Sequence, residues 1–376
     1  MAVTIKQVSS RRDLGRFVDF PNKLYKGNQY FVPKIYTDEM ATLDPKKNPA
    51  YEFSEAALFL AYKDGKLAGR VAAIVNHRAN EKWGHKEVRF GWIDFIDDRE
   101  VSSALMDKVI EFGKERGMDS VAGPLGFTDF DPEGMLVEGY DQLSTMALIY
   151  NYPYYKDHIE AMGFTKAADW LEFKIRVPEQ VPPRIAKISK IVSEKYGFRV
   201  RKLTKREIRR ERLGYKIFEI INDCYGELFD FTPLTSGLID KYVDAYLGLL
   251  NLDYVSVIVD KNNEMLAVGI TMPSITRALQ KCRGKFFPLG WFHLLRSMFF
   301  KNEGCVELLL IAVRQEYRNL GLIALILNDL VPRYYANGVR FGESNAELET
   351  NTQMIDSWKM FDTEQHKRRR AYKKDI

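Results

Sequence analysis

The run Leu308-Leu-Leu-Ile-Ala-Val313 is apolar throughout, and the polar turn behind it, holding Arg318 and Gly321, leads into a second apolar stretch. A strand that feeds a helix through such a turn leaves backbone N–H groups unpaired in the helix's first turn, at the positive end of its dipole. That corner suits a diphosphate. Gly321 lets the backbone approach without a Cβ in the way, and Arg318 can add a charge-assisted contact. The candidate contacts are Ile311, Ala312, Val313, Arg318, Asn319, Leu320, Gly321, Leu322, Ile323 and Ala324. A strand–helix turn that merely contains a glycine is the competing reading.

Downstream, Glu343, Asn345 and Glu347 fall on one face if their segment is a strand. Glu343 or Glu347, directly or through water, is the candidate general base; a solvated role at a sheet edge competes with it. The histidines (His77, His85, His158, His293 and His366) show no ligand spacing, so no metal is expected. Cys224, Cys282 and Cys305 lie far apart and form no CxxC pair, which argues against a disulfide scaffold and a structural zinc site.

The turn from Val313 to Ile323 resembles the cofactor motif of the GNAT superfamily of acyl-CoA N-acyltransferases, Arg/Gln-x-x-Gly-x-Gly/Ala after a strand. Arg318 and Gly321 match it, whereas Ile323 replaces the second small residue and Gln315 the usual proline. Asn351 resembles the asparagine that opens the helix after the fifth GNAT strand and points toward the pantetheine arm. Further segments resemble the YghO-like group of tandem GNAT proteins: Gly123 to Gly134, Tyr150 to Tyr155, Glu160 to Lys166, Glu343 to Met354, and Lys367 to Lys373. The resemblance covers nearly the whole chain. It implies acyl-CoA as co-substrate, an amine acceptor, and a splayed backbone N–H near Ile311 to Val313 for the thioester oxygen. Many GNAT enzymes protonate the departing thiolate with a tyrosine of the last helix. Trp358 stands there, so the role is vacant, with Tyr372 the alternative.

The elements that must position these groups repeat in one order. Leu58 to Tyr62 and Leu67 to Val75 around Asp64-Gly65 form a hairpin, and Tyr254 to Val259 with Met265 to Thr271 form another. Each is followed by strand, helix and strand. The prolines of Arg176-Val-Pro-Glu-Gln-Val-Pro-Pro-Arg184 mark a linker. The expected fold class is therefore α/β (α+β), two tandem GNAT-like domains, each a mixed central sheet flanked by helices. Residues 1–176 form a domain lacking the phosphate loop, 177–197 a linker and basic helix, and 198–376 the domain with the acyl-CoA motif. In the first half Asp97, Asp98 and Glu100 stand where phosphate would bind and would repel it. That half is expected to wall the acceptor cleft, through Gly123 to Gln142 and Asn151 to Tyr155.

Composition agrees with a globular protein: 376 residues, 46% hydrophobic and 28% charged, are too apolar for a disordered chain. A net charge of +5 permits an anionic ligand without demanding nucleic acid, which is not expected as a partner. The basic runs Lys205 to Arg212 and Lys367 to Arg370 read as solvated faces or as contacts to a cofactor phosphate. No signal peptide or spanning run is evident, which points to a cytoplasmic setting. Residues 277–301 are basic at the flanks and dense in large apolar groups, so peripheral membrane contact, a fatty-chain channel and a packed interdomain helix are the readings. The function expected is N-acyl transfer from acyl-CoA to an amine, with long-chain or lipid-like substrates in view. The alternative is a degenerate acyl-CoA-binding or scaffold protein. Oligomeric state is not legible in the residues.

Overall fold

The computed structural model describes residues 3–244, 251–300 and 303–376. In the first half the strands are β1 (Thr4–Gln7), β2 (Ser54–Lys63), β3 (Lys66–Asn76), β4 (Glu87–Phe95), β5 (Ser120–Gly123), β6 (Met135–Glu138) and β7 (Thr165–Arg176). The helices among them are α1 (Arg11–Leu24), α2 (Tyr36–Thr42), α3 (His77–Trp83), α4 (Arg99–Lys114) and α5 (Tyr154–Ala161). The connecting helix α6 (Pro183–Tyr196) carries Pro at its first position, where the missing N–H costs nothing, and ends at Gly197 with φ +72°.

The second half holds β8 (Arg199–Arg201), β9 (Val255–Val259), β10 (Met265–Pro273), β11 (Cys305–Val313), β12 (Phe341–Ser344), β13 (Glu347–Leu348) and β14 (Thr363–Asp375). Its helices are α7 (Lys205–Arg210), α8 (Leu213–Tyr225), α9 (Ser236–Tyr242), α10 (Thr276–Cys282), α11 (Gly290–Phe299), α12 (Leu322–Ala336) and α13 (Thr352–Trp358). The single helix expected from Lys205 to Leu228 is broken at Arg212, whose φ of 50° no helix interior tolerates. The end of the helix expected over Ser236 to Leu250 lies outside the described residues.

The strands join in one mixed sheet, in the order β1-β2-β3-β4-β5-β14-β7-β12-β11-β10-β9-β8, with β6 beside β14 and β13 beside β7. The two halves therefore exchange strands. β14, last in the chain, lies between β5 and β7 of the first half, in the register Tyr372↔Gly123 and Arg369↔Trp170. β7 in turn pairs with β12 of the second half, Ile175 opposite Gly342. Tyr372 is fully buried in the first half's core with Phe90, Phe95, Leu105 and Tyr155.

A strand reading Lys-Arg-Arg-Arg at the centre of a sheet corrects the expectation that this run is solvated. Lys367 and Arg369 are 1% and 0% exposed, because β7 presents a carboxylate on each face. Glu172 accepts from Lys367 Nζ at 2.9 Å and Arg369 Nε at 2.6 Å on one side, and Asp169 accepts from Arg368 and Arg370 on the other. Desolvated charges persist in an interior only when paired in this way.

Candidate functional site

β11 bonds to β10 along its length, with a bulge in β11 at Leu309, between the pairs Ile270↔Leu310 and Thr271↔Leu308, but to β12 only as far as Leu308↔Ser344. There the chain turns away. Asn345 N–H still donates to Leu308 O at 3.1 Å and the Asn345 side chain to Leu309 O at 3.3 Å, after which β13 pairs with β7 instead. The sheet is thus splayed between Leu309–Val313 and Asn345–Leu348. The C-terminal end of α8 reaches into the gap: Tyr225 Oη donates to Ile311 O at 2.9 Å and Cys224 Sγ to Val313 O at 2.8 Å. Neither residue carried a signal in the sequence, since both read as the end of an amphipathic helix.

The turn after β11 is a short 3-10 helix, 315–320, that ends at Gly321. Gly321 has φ +80°, and a Cβ there would stand 2.9 Å from Ile188 and 3.2 Å from Val192 of α6. Backbone conformation and the packing of α6 both demand glycine here, whatever binds nearby. Gly321→Ala is expected to cost about 1–3 kcal/mol, from the left-handed backbone and the displaced α6. Urea unfolding measures it, and an unchanged midpoint would show that α6 yields freely.

Arg318 turns inward and donates to Cys224 O at 2.6 Å, at the C-terminal end of α8. Asn319 is exposed and accepts from Gln353 of α13 at 3.5 Å, spanning the edge of the site. Ile323 packs against Phe361 and the α13 cluster, so its bulk is absorbed by apolar neighbours. Asn351 caps α13, accepting from Met354 N–H at 3.4 Å. A cavity of about 1240 Å³ opens beside these groups. Ile311, Ala312, Val313, Arg318, Ile323 and Asn351 line it, whereas Asn319, Leu320, Gly321, Leu322 and Ala324 lie outside its wall.

The two candidate bases part company. Because β12 stops at Ser344 and β13 begins afresh at Glu347, strand alternation does not carry across the break, and the two carboxylates meet different surroundings. Glu343 lies 3.0 Å from His366 Nε2 and 3.3 Å from Lys367 Nζ. Burial works to raise its affinity for a proton, yet those partners hold the carboxyl below its ordinary range. Glu347 faces the cavity, and Trp358 Nε1 donates to both its oxygens, at 2.8 and 3.1 Å. Burial pushes the Glu347 carboxyl up to about 7, outweighing the Trp358 hydrogen bond. The tryptophan that replaces the expected tyrosine thus steadies the carboxylate. Tyr372 is remote from this site, donating to Glu160 at 3.0 Å in the first half.

The first half supplies the opposite wall through Phe130, Glu133 and Leu148. Lys34 ties that wall, donating to Met146 O at 2.7 Å and Leu148 O at 2.9 Å, and burial pushes its amine down to about 7. The segment Asn151–Tyr155 does not face the cleft as expected. Tyr155 is buried in the first-half core, its hydroxyl accepting from Phe95 N–H at 3.0 Å. At the start of α4, Asp98 caps the N–H groups of Glu100 and Val101 and pairs with Lys63, so the helix end that would meet phosphate holds a carboxylate. Two groups of histidine and carboxylates do meet in space, His85–Glu87–Asp230 and Glu172–Glu343–His366. Each already contains cations, Arg89 and Lys373 in the first, Lys367 and Arg369 in the second.

No family model matches the chain. A solved tandem GNAT protein from the clavulanic acid biosynthesis pathway superposes with a TM-score of 0.58 at 12% identity, covering 99% of this chain and 98% of that one. This is a tandem GNAT fold. The chain is 27% identical to protein YghO of Escherichia coli over 380 residues, spanning 99% of itself and 95% of YghO. It is 24% identical to the bacterial ceramide synthase of Caulobacter vibrioides over 330 residues, 84% of this chain and 82% of that protein.

Proposed function

We propose that this protein moves a long-chain acyl group from coenzyme A to the primary amine of a lipid-like acceptor, forming an amide. The observation that carries this reading is the large, mostly apolar cavity that runs from the splayed edge of β11 to the first half, with Glu347 in its wall. Around 1240 Å³ is ample for an alkyl chain, and apolar side chains such as Ile217, Ile221, Leu308, Leu310 and Leu327 dominate the lining, with charged groups such as Glu39, Asp129, Glu133 and Lys241 among them. The Caulobacter relative's name denotes a ceramide, the amide of a long-chain base, which agrees in acceptor class.

The bound thioester supplies an activated acyl carbon. The splayed edge of β11 suits an extended arm, which would take the place of Tyr225 and Cys224 on the carbonyls of Ile311 and Val313 to bond as a further strand, and the start of α12 suits its phosphates. Glu347 takes the proton from the attacking nitrogen as the carbon–nitrogen bond forms, the thioester's carbon–sulfur bond then breaks, and coenzyme A leaves as a thiolate that solvent protonates. A carboxyl near 7 is matched to that task, since it is largely ionised just above neutrality yet still basic. The apolar walls exclude water that would otherwise compete for the thioester.

The test is thiol release and amide mass on mixing the purified protein with palmitoyl-CoA and, separately, sphinganine or a short soluble amine. Thiol release with sphinganine alone is expected. Arg318→Glu is expected to weaken retention of coenzyme A at least tenfold, by placing a carboxylate beside the phosphates. Trp358 in place of the expected tyrosine leaves no side chain there to protonate the departing thiolate, which favours a second reading, a binder that has lost turnover. Thermal stabilisation by palmitoyl-CoA with no thiol release from either amine would establish that reading instead.

A further inference from the structure

Segment 277–300 contains Arg277, Lys281, Arg283, Lys285 and Arg296 and no acidic residue. It folds as α10, a connecting loop and α11, and it is apolar on two sides. Leu294 faces inward and is buried against Met272, Ile275 and Leu279. The outward arc of α11 carries Trp291, Phe292, Leu295 and Phe299, all exposed. These positions lie within about 100° of one another around a helix of 3.6 residues per turn. The loop before the helix and the residue after it extend the same patch: Phe287 and Phe300 are each 84% exposed. Large apolar side chains so exposed in one contiguous area mark an interaction surface.

Two features say what covers it. The segment's own charges are of one sign, as a bilayer with anionic head groups requires; Lys285 pairs with Asp19, and Glu303 is taken up by the N–H groups of Arg277 and Ala278 and by Ser297. The patch is also continuous with the cavity, because Trp291 and Leu295 are at once exposed and part of the cavity wall. The cavity that Trp291 and Leu295 line also has Glu347 in its wall.

We propose that α11 and its flanking loop dock on an anionic membrane surface and admit the acceptor lipid from it. The purpose of this docking rests on the lipid-acceptor reading above, whereas the docking itself does not. α11 lies in the plane of the interface, its aromatic arc among the acyl chains and Lys281, Arg283 and Arg296 at the head groups. The short length of the helix, Gly290–Phe299, is consistent with lying on the membrane, and among the described residues no helix is long and apolar enough to cross it.

Flotation with vesicles tests this. The full chain is expected to float with vesicles of equal phosphatidylcholine and phosphatidylglycerol, at least tenfold more than with phosphatidylcholine alone, and to detach as salt rises. Phe287→Ser combined with Phe300→Ser, both outside the cavity wall, is expected to cut flotation at least tenfold while thermal unfolding stays unchanged. Arg283→Glu is expected to reduce binding to the anionic vesicles selectively. Failure of the unaltered chain to float, or flotation indifferent to the double serine variant, would overturn the proposal. So would sedimentation showing a dimer that the serine pair dissociates, which assigns the patch to a second copy. Flotation that behaves as expected, alongside no amide from palmitoyl-CoA and sphinganine in detergent, would keep the docking surface and discard the proposed reaction.

Discussion

Glu347→Gln is expected to slow acyl transfer by about 10²–10⁴-fold, the usual worth of a positioned base, with little change in stability. Glutamine keeps the shape and still accepts from Trp358 Nε1, so the loss isolates proton removal. The pH profile sharpens the test. Because burial raises the Glu347 carboxyl to about 7, kcat/KM is expected to climb as pH rises through that value and the carboxylate forms. That limb should vanish in the glutamine variant. Trp358→Phe removes a donor that favours the charged form, so the limb should move to higher pH, by about half a unit to one unit. A glutamine variant with full activity and an unaltered pH limb would exclude Glu347. Glu343→Gln, by contrast, should act through stability, since that carboxylate is engaged with His366 and Lys367.

The largest effect on stability is expected at Arg369. Its guanidinium is fully buried, donating to Glu172 at 2.6 Å and to the carbonyl of Ile149 at 2.6 Å. Arg369→Met leaves a buried carboxylate with one partner fewer and a carbonyl without its donor, at a cost of about 3–5 kcal/mol. Burial opposes ionisation of Glu172, but Arg369 and Lys367 overcome it and hold the carboxyl well below its ordinary 4.5. A depressed carboxyl contributes stability that is complete above its unfolded value and fades as pH falls toward about 2. Denaturant unfolding at several pH values should therefore show the natural chain losing stability only in acid. The variant should already be weaker at neutrality and less sensitive between pH 4.5 and 2. Identical midpoints for the two proteins would mean that the pairing adds nothing net.

Much of the architecture was legible because period and punctuation agree. The Asp64-Gly65 hairpin, the Ser120–Gly123 strand and the apolar strand before Arg318 all appear as strands where alternation and turn residues placed them. The strand exchange was not legible, since pairing between residues some two hundred positions apart leaves no local trace. For the same reason Lys367-Arg-Arg-Arg read as solvated, when its partners Asp169 and Glu172 lie in the first half. At the site, the cavity-facing position of Glu347 was hidden by a break in the strand at Asn345 and Ala346, which no alternation rule anticipates. Trp358 was noticed as a departure from a pattern, but only its distance to Glu347 gives it work. Tyr225 was missed because its partner is a backbone carbonyl, and carbonyls are silent in a sequence.

The placement of β14 bears on how the molecule comes into being. The slot between β5 and β7 stays open until residues 363–375 arrive, and these are synthesised only after the other strands of both halves. Tyr372 and the partners of Glu172 arrive with them, so the amino-terminal half emerges from the ribosome with a gap in its sheet and an unneutralised carboxylate. Maturation of that half is thereby postponed until the second half has been made, and a nascent chain stalled before residue 363 displays two unpaired strand edges to whatever chaperone or protease is at hand.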